Sequence, residues 1–193
     1  KDKDLNDKKI LILGAGAGGL GYILAKANPE ATVIEIEHNP FLALVNNQLS
    51  EGKSLKLSEV STFPKSLDQT SVKRELKAER ITENKVCILA DFPNLPFKDE
   101  AFDLIISPWF LDILDIPFEN ALFSALDFLK PNGEFYFIGP SNVHKKSMSE
   151  QYCHEELIEI FEEFFDEISS HQESIPYLAS PQNSQKREEL VTF

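Results

Sequence analysis

The sequence predicts a mostly parallel α/β fold of seven strands, with helices on both faces and an antiparallel hairpin at the end. Three observations predict it. Short apolar runs alternate with helical periodicities along most of the 193 residues, the pattern of strand–helix–strand crossovers. The first run, Lys9–Leu13, opens into Gly14-Ala15-Gly16-Ala17-Gly18-Gly19. The last two apolar segments follow one another with no helix between them, so they pair antiparallel.

The elements read in order as follows. Lys9–Leu13 (KILIL) is a buried strand, and Gly18–Ala27 a helix stopped by Asn28-Pro29. Ala31–Glu37 (ATVIEIE) is β-rich, and Asn39-Pro40 opens a second helix through about Leu49, with proline in the first turn where its missing N–H does no harm. Lys85–Ala90, Phe102–Ser107 and Glu134–Ile138 are further strands. Glu119–Leu129 lies between the last two at helical spacing, and Pro131-Asn132-Gly133 closes the turn after it. His154–Ile168 is an acidic amphipathic helix with the stripe Leu157, Ile160, Phe161, Phe164, Phe165 and Ile168. Ile168–Ile175 and Glu188–Phe193 form the final hairpin, joined by Pro176–Lys186. One stretch breaks the rhythm: Glu51–Asn84 is long, polar and poorly periodic, and such segments in compact domains are functional or mobile. The whole reads as a single domain, 1–193, with an insertion at about 51–84. A start at Lys1 and an end at Phe193 inside an expected strand fit a piece of a longer protein.

Composition narrows the function. With 42% hydrophobic and 26% charged residues, the chain is globular. A net charge of −13 argues against a nucleic-acid backbone as partner and suits a neutral or cationic small molecule. Two cysteines, Cys87 and Cys153, make neither a disulfide scaffold nor a metal site, and Cys87 in its apolar run reads as an inert core thiol. No apolar run reaches the length of a membrane span and no signal segment follows the charged start. The expectation is an intracellular, cytoplasmic protein with no membrane partner and no metal.

The glycine run allows a ligand to lie against the main chain, because no Cβ stands in the way. By itself it satisfies both a dinucleotide-type GxGxxG and a shorter GxGxG. Glu37 closes the second strand 23 positions after Gly14, where a carboxylate accepts both ribose hydroxyls of an adenosine and repels a 2′-phosphate. Glu35 points to the same face. Asp91 and Phe92 end the third strand, the acid suited to an adenine amino group and the ring to its flank.

In this order, Gly-Ala-Gly-Ala-Gly, Glu-His-Asn-Pro, Ala-Asp-Phe-Pro-Asn-Leu-Pro-Phe, Phe-Asp-Leu-Ile-Ile-Ser and Leu-Lys-Pro-Asn-Gly-Glu span Lys9 to Gly139. They resemble the ordered motifs of class I S-adenosylmethionine-dependent methyltransferases. The resemblance implies a Rossmann-like class I methyltransferase fold and S-adenosylmethionine as cofactor. It implies cofactor-binding roles for Gly14, Ala15, Gly16, Gly18, Glu37, Asp91, Phe92 and Ser107. One position departs: many members carry an acid two residues before the first glycine, and here it is Ile12.

Beyond the fourth strand, Ser107-Pro108-Trp109-Phe110-Leu111-Asp112 lies at the carboxyl edge, where such folds bind ligands, and aromatic faces favour a sulfonium. Gly139-Pro140-Ser141-Asn142-Val143-His144 leaves the fifth strand on that edge. These segments resemble the carnosine N-methyltransferase family, which has an Asp after two aromatics, a Gly-Pro-x-x-x-His and an aromatic-bearing segment in the last hairpin. Asp112, His144 and Tyr177 stand at the matching positions, and the helix Phe41–Ser50 with Asn47 and the insertion after it are similar. That family's upstream helical region has no counterpart here. The resemblance implies a small-molecule acceptor with an imidazole or amine nitrogen and a catalytic set of Asp112, His144 and Tyr177. Two alternatives stand beside it: an NAD-dependent oxidoreductase, on Gly14, Gly16, Gly19 and Glu37, and a non-catalytic module that keeps the fold for binding.

Overall fold

The structure is a computed structural model and describes residues 4–60, 66–81, 83–140, 143, 151–177 and 187–192. Strand β1 (Lys9–Leu13) leads to α1 (Gly19–Ala27), β2 (Thr32–Glu37) and α2 (Pro40–Ser50). β3 (Leu55–Val60), β4 (Ser71–Leu76), β5 (Lys85–Leu89) and β6 (Phe102–Pro108) follow. Then come α3 (Phe118–Leu126), β7 (Leu129–Pro140), α4 (His154–Glu162), β8 (Gln172–Tyr177) and β9 (Arg187–Thr192).

Seven strands form one sheet in the order β5-β2-β1-β6-β7-β9-β8. The first five of that order are parallel neighbours, and β9 runs antiparallel to both β7 and β8. This is the expected architecture. Alternation along β1 and β6 divides the core. Ile10, Ile12, Leu104 and Ile106 face Leu20, Leu24 and Ala25 of α1. Leu11, Leu13 and Ile105 face Phe118, Ala121 and Leu122 of α3 and Leu157 of α4. The chain winds outward from β1 to β2 and β5, then crosses back to β6. Between β1 and β6 the winding direction reverses, and open α/β sheets bind ligands outside the carboxyl ends of their strands at such a switch point.

Four elements differ from the sequence expectation. The segment after α2 is not irregular: β3 and β4 form an antiparallel hairpin in a sheet of their own. Leu55, Leu57, Glu59, Val72 and Arg74 are its half-buried positions, a period-two pattern diluted by charge. Helix α4 stops at Glu162, six residues before the expected Ile168. Its end carries no basic residue, and Glu162, Glu163, Asp166 and Glu167 would repel the negative end of a longer helix dipole. Helix α3 ends at Leu126, and β7 begins at Leu129 rather than Glu134. Pro131-Asn132-Gly133 is an irregularity inside that strand: the register against β6 jumps from Leu129 to Glu134, and Asn132 takes the left-handed conformation at φ 62°. The last hairpin begins at Gln172 rather than Ile168.

Phe118 ties α3 to the sheet. It is fully buried, with ring centroids 5.5 Å from Phe137 and 6.1 Å from both Tyr152 and Phe161. Phe118→Ala is expected to lower unfolding free energy by about 3–5 kcal/mol, read as a shifted urea midpoint at unchanged slope. A loss below about 1 kcal/mol would mean that this cluster does not hold the helix.

Candidate active site

The glycine loop leaves β1 at the switch point. Gly14, Gly16 and Gly18 all have positive φ, at 69°, 56° and 83°, so the loop turns tightly from strand to helix. Each glycine has a different neighbour. A Cβ on Gly14 would fall 2.5 Å from Cδ2 of Phe110, and one on Gly18 within 2.5 Å of the Asn46 carboxamide. A Cβ on Gly16 would meet nothing within 4 Å. The loop is thus seated at both ends and open in the middle.

Glu37 holds that middle from below. Its Oε2 accepts the Gly16 N–H at 2.7 Å and its Oε1 the Asn39 N–H at 2.8 Å. The side chain is largely buried, yet a carboxylate offers about four lone-pair sites, so acceptor capacity remains for ligand hydroxyls. Asn39 caps α2 by accepting from the Phe41 and Leu42 N–H groups, which fixes where β2 stops. Ala15 donates to the Ile36 carbonyl at 2.9 Å.

Asp91 stands past the end of β5, 75% exposed, with an oxygen on Nδ1 of His38. His38 follows Glu37 directly, and sequence reasoning passed over it. Phe92 and Phe110 meet edge to face with centroids 5.5 Å apart. Phe110 therefore spans from the glycine loop to the turn after β5. Trp109 takes φ 52° and donates its N–H to the Ile138 carbonyl at 2.6 Å, a strained turn for a bulky residue that sends the next ring onto Gly14.

Ser107 is fully buried near the end of β6, and its hydroxyl makes no hydrogen bond among the described residues. It lies inside the carboxyl edge rather than on its surface. Ile12 is also fully buried, packed on the α1 face.

Asp112 follows in a short 3-10 turn, Leu111–Ile113, whose Leu111 is buried. His144 lies outside the described residues. Tyr177 ends β8 opposite Arg187, whereas the hairpin joins β7 only at Gly139 and Pro140, opposite Thr192 and Val191. The backbone at Tyr177 therefore projects four residue steps beyond the level of Pro140 at the sheet's carboxyl edge, roughly 13 Å. That is the edge on which Asp112 lies.

A buried polar cluster supports the loop from the α1–α2 side. Lys85 Nζ lies 2.5 Å from Glu35 Oε2 and donates to Asn46 Oδ1 at 2.6 Å and to Ser50 Oγ at 3.0 Å. Asn46 Nδ2 donates to Glu35 Oε2 at 2.9 Å. The signal for it was in the sequence: Glu35 and Lys85 are opposite charges inside two apolar strand runs. Cys87 lies nearby, and burial together with the Glu35 charge pushes its thiol up to about 11. It carries no thiolate at neutral pH, as its apolar surroundings suggested.

Residues 65–137 match the family description "Methyltransferase domain". No curated protein matches the chain in sequence. Among solved structures it is similar to S-adenosylmethionine-dependent methyltransferases from Methanosarcina mazei, at 13% identity and TM-score 0.66, covering 97% of this chain and 90% of that one. It is similar to the YcgJ protein of Bacillus subtilis, at 15% identity and TM-score 0.58, covering 91% and 70%. The [4+2]-cyclase SpnF superposes at 15% identity and TM-score 0.61, with 86% of this chain and 55% of the cyclase covered. The chain spans 41% of a longer chain from Galdieria sulphuraria that it also resembles. The strand order and the glycine loop on a strand-end glutamate thus accompany a methyltransferase-domain match over residues 65–137, and the likeness to these solved structures shows a shared Rossmann-like fold.

Proposed function

We propose that the chain transfers a methyl group from S-adenosylmethionine to a nitrogen of a small-molecule acceptor. The observation that carries the cofactor half is the open backbone at Gly16 above a strand-end carboxylate that already holds it. That cradle fits an adenosine: Glu37 accepts ribose hydroxyls, Asp91 accepts from the adenine amino group, and Phe92 flanks the base. Gly14, Ala15 and Gly18 shape the loop around it, and Ser107 supports the crevice from below. Ile12 offers no acid for the methionine amino group. When bound, the cofactor supplies an electrophilic methyl on a sulfonium.

The rest of the reaction is positioning. Methyl transfer is an in-line displacement, so the protein must hold the acceptor lone pair in line and keep water away. A neutral imidazole presents one such lone pair, and a group holding its opposite N–H fixes the tautomer. Asp112 is that group in this reading, with His144 and Tyr177 beside it on the strength of the carnosine-type motifs. For an ammonium acceptor the same groups must first take a proton. The net charge of −13 favours a cationic cofactor or acceptor over an anionic one.

Four outcomes are expected. S-adenosylhomocysteine at a hundredfold its Kd raises the melting temperature by roughly 5–10 °C, while NAD and NADP do not. A rise with NAD alone overturns the reading. Glu37→Ala weakens S-adenosylhomocysteine binding about ten- to hundredfold in calorimetric titration, the loss of a charged acceptor. Glu35→Ala differs in kind: it strands Lys85 and costs about 3–5 kcal/mol of stability. Asp112→Ala lowers methylation of an imidazole-bearing acceptor about ten- to hundredfold with S-adenosylhomocysteine affinity held within about twofold. Equal loss of both would move Asp112 from the acceptor to the cofactor.

A further inference from the structure

The glycine loop has a second support besides Glu37. Glu35 and Glu37 lie two residues apart on β2 and so share a face. Glu37 touches the loop directly. Glu35 reaches it through Asn46, whose carboxamide lies against Gly18, the residue that caps the start of α1.

The cation of this support is saturated, and Glu35 engages it through Oε2, its Oε1 having no hydrogen-bond partner among the described residues. The Lys85 ammonium has three donors, and they go to Glu35, Asn46 and Ser50. Asn46 cannot turn its amide over: its oxygen faces the ammonium and its nitrogen the carboxylate. Glu35, Asn46, Ser50 and Lys85 are all buried, with Glu35 at 0% and Asn46 at 1% exposure. Glu35 also fills the space where a Cβ on Gly21 would sit, 2.5 Å from its Cδ. Two glycines of the α1 region are thus required by this cluster rather than by a ligand. A buried ion pair rarely adds net stability over apolar packing of the same volume. Its geometry here does something apolar packing cannot: it holds one side chain in one orientation under one turn of the loop.

We infer that Asn46 is a positioning residue for cofactor binding, locked by the Lys85–Glu35 pair so that its carboxamide seats Gly18 and sets the height of the Gly14–Gly18 loop above Glu37. The inference rests on the cofactor reading above. In it, Asn46 touches no ligand and acts through the backbone of Gly18.

The test is a double-variant cycle on the whole chain with two readouts: S-adenosylhomocysteine affinity by calorimetry and amide hydrogen exchange across residues 14–22. Asn46→Ala is expected to weaken S-adenosylhomocysteine binding about tenfold and to speed exchange at the Gly16–Gly19 amides, leaving those of β6 unchanged. Gly18→Ala alone is expected to do the same or worse, since its Cβ meets the carboxamide. The double variant is expected to bind at least fivefold better than additivity allows, because removing the carboxamide removes the clash. That rescue is what a merely structural role would not produce. Additive losses, or Asn46→Ala binding within twofold of the native chain, overturn the inference. If Asn46→Ala does not fold, Gly18→Ala paired with Asn46→Ser completes the cycle. If the native chain itself fails to bind S-adenosylhomocysteine, the cofactor reading falls. The exchange cycle then still reports whether Asn46 seats Gly18, and additivity there refutes the seat by itself.

Discussion

Everything at this site depends on one constraint: a backbone loop must be held rigid while its upper surface stays bare. Side chains on the loop would fill the surface, so the rigidity has to come from outside. Glu37 holds the middle through the Gly16 N–H, Phe110 presses on Gly14, and Asn46 lies under Gly18. The three contacts come from β2, from the turn after β6 and from α2. Their arrival at five consecutive residues is a consequence of parallel strands: each strand's following loop leaves on the same edge.

The constraint also explains a pair of glutamates inside an apolar strand. Both lie on the α1–α2 face of β2, and both are largely buried. Glu37 keeps backbone donors and remaining lone pairs at the crevice, whereas Glu35 is neutralised by Lys85 and spends its charge within the protein. Identical residue types two positions apart therefore do different work, set by whether a lysine or a peptide N–H meets the carboxylate.

Most strands of the large sheet, its largely parallel direction and its antiparallel ending were legible in the sequence, and the reasons are local. Lys9–Leu13, Glu37, Asn39-Pro40 and the glycine run each declare themselves within a few residues. What was less legible depends on distant partners. Helix α4 kept its apolar stripe in sequence past the point where its acidic end stops it. The β3–β4 hairpin hid its alternation because Glu59 and Arg74 occupy half-buried positions, paired to each other at 2.7 Å. Asn46 reads as a polar residue on a helix until Lys85, 39 positions later, is brought against it. His38 and Asp91 likewise stand 53 positions apart before the β2–β5 pairing joins them.

The acceptor half follows a different logic from the cofactor half. In the proposed reading, the cofactor meets backbone and strand ends, which the fold positions automatically. The proposed acceptor residues are Asp112 after β6, His144 after β7 and Tyr177 in a hairpin that joins the sheet at only two residues of β7. Such segments can change without disturbing the sheet, and the [4+2]-cyclase that shares this fold illustrates how far the chemistry on one scaffold can travel. The fold shared with methyltransferase structures therefore comes from the sheet, which such changes leave intact. In the proposed reading, the identity of the acceptor rests on Asp112 and its neighbours. There the physical requirement is only that a nitrogen lone pair point at the sulfonium methyl while its N–H, on the far side of the ring, finds an acceptor.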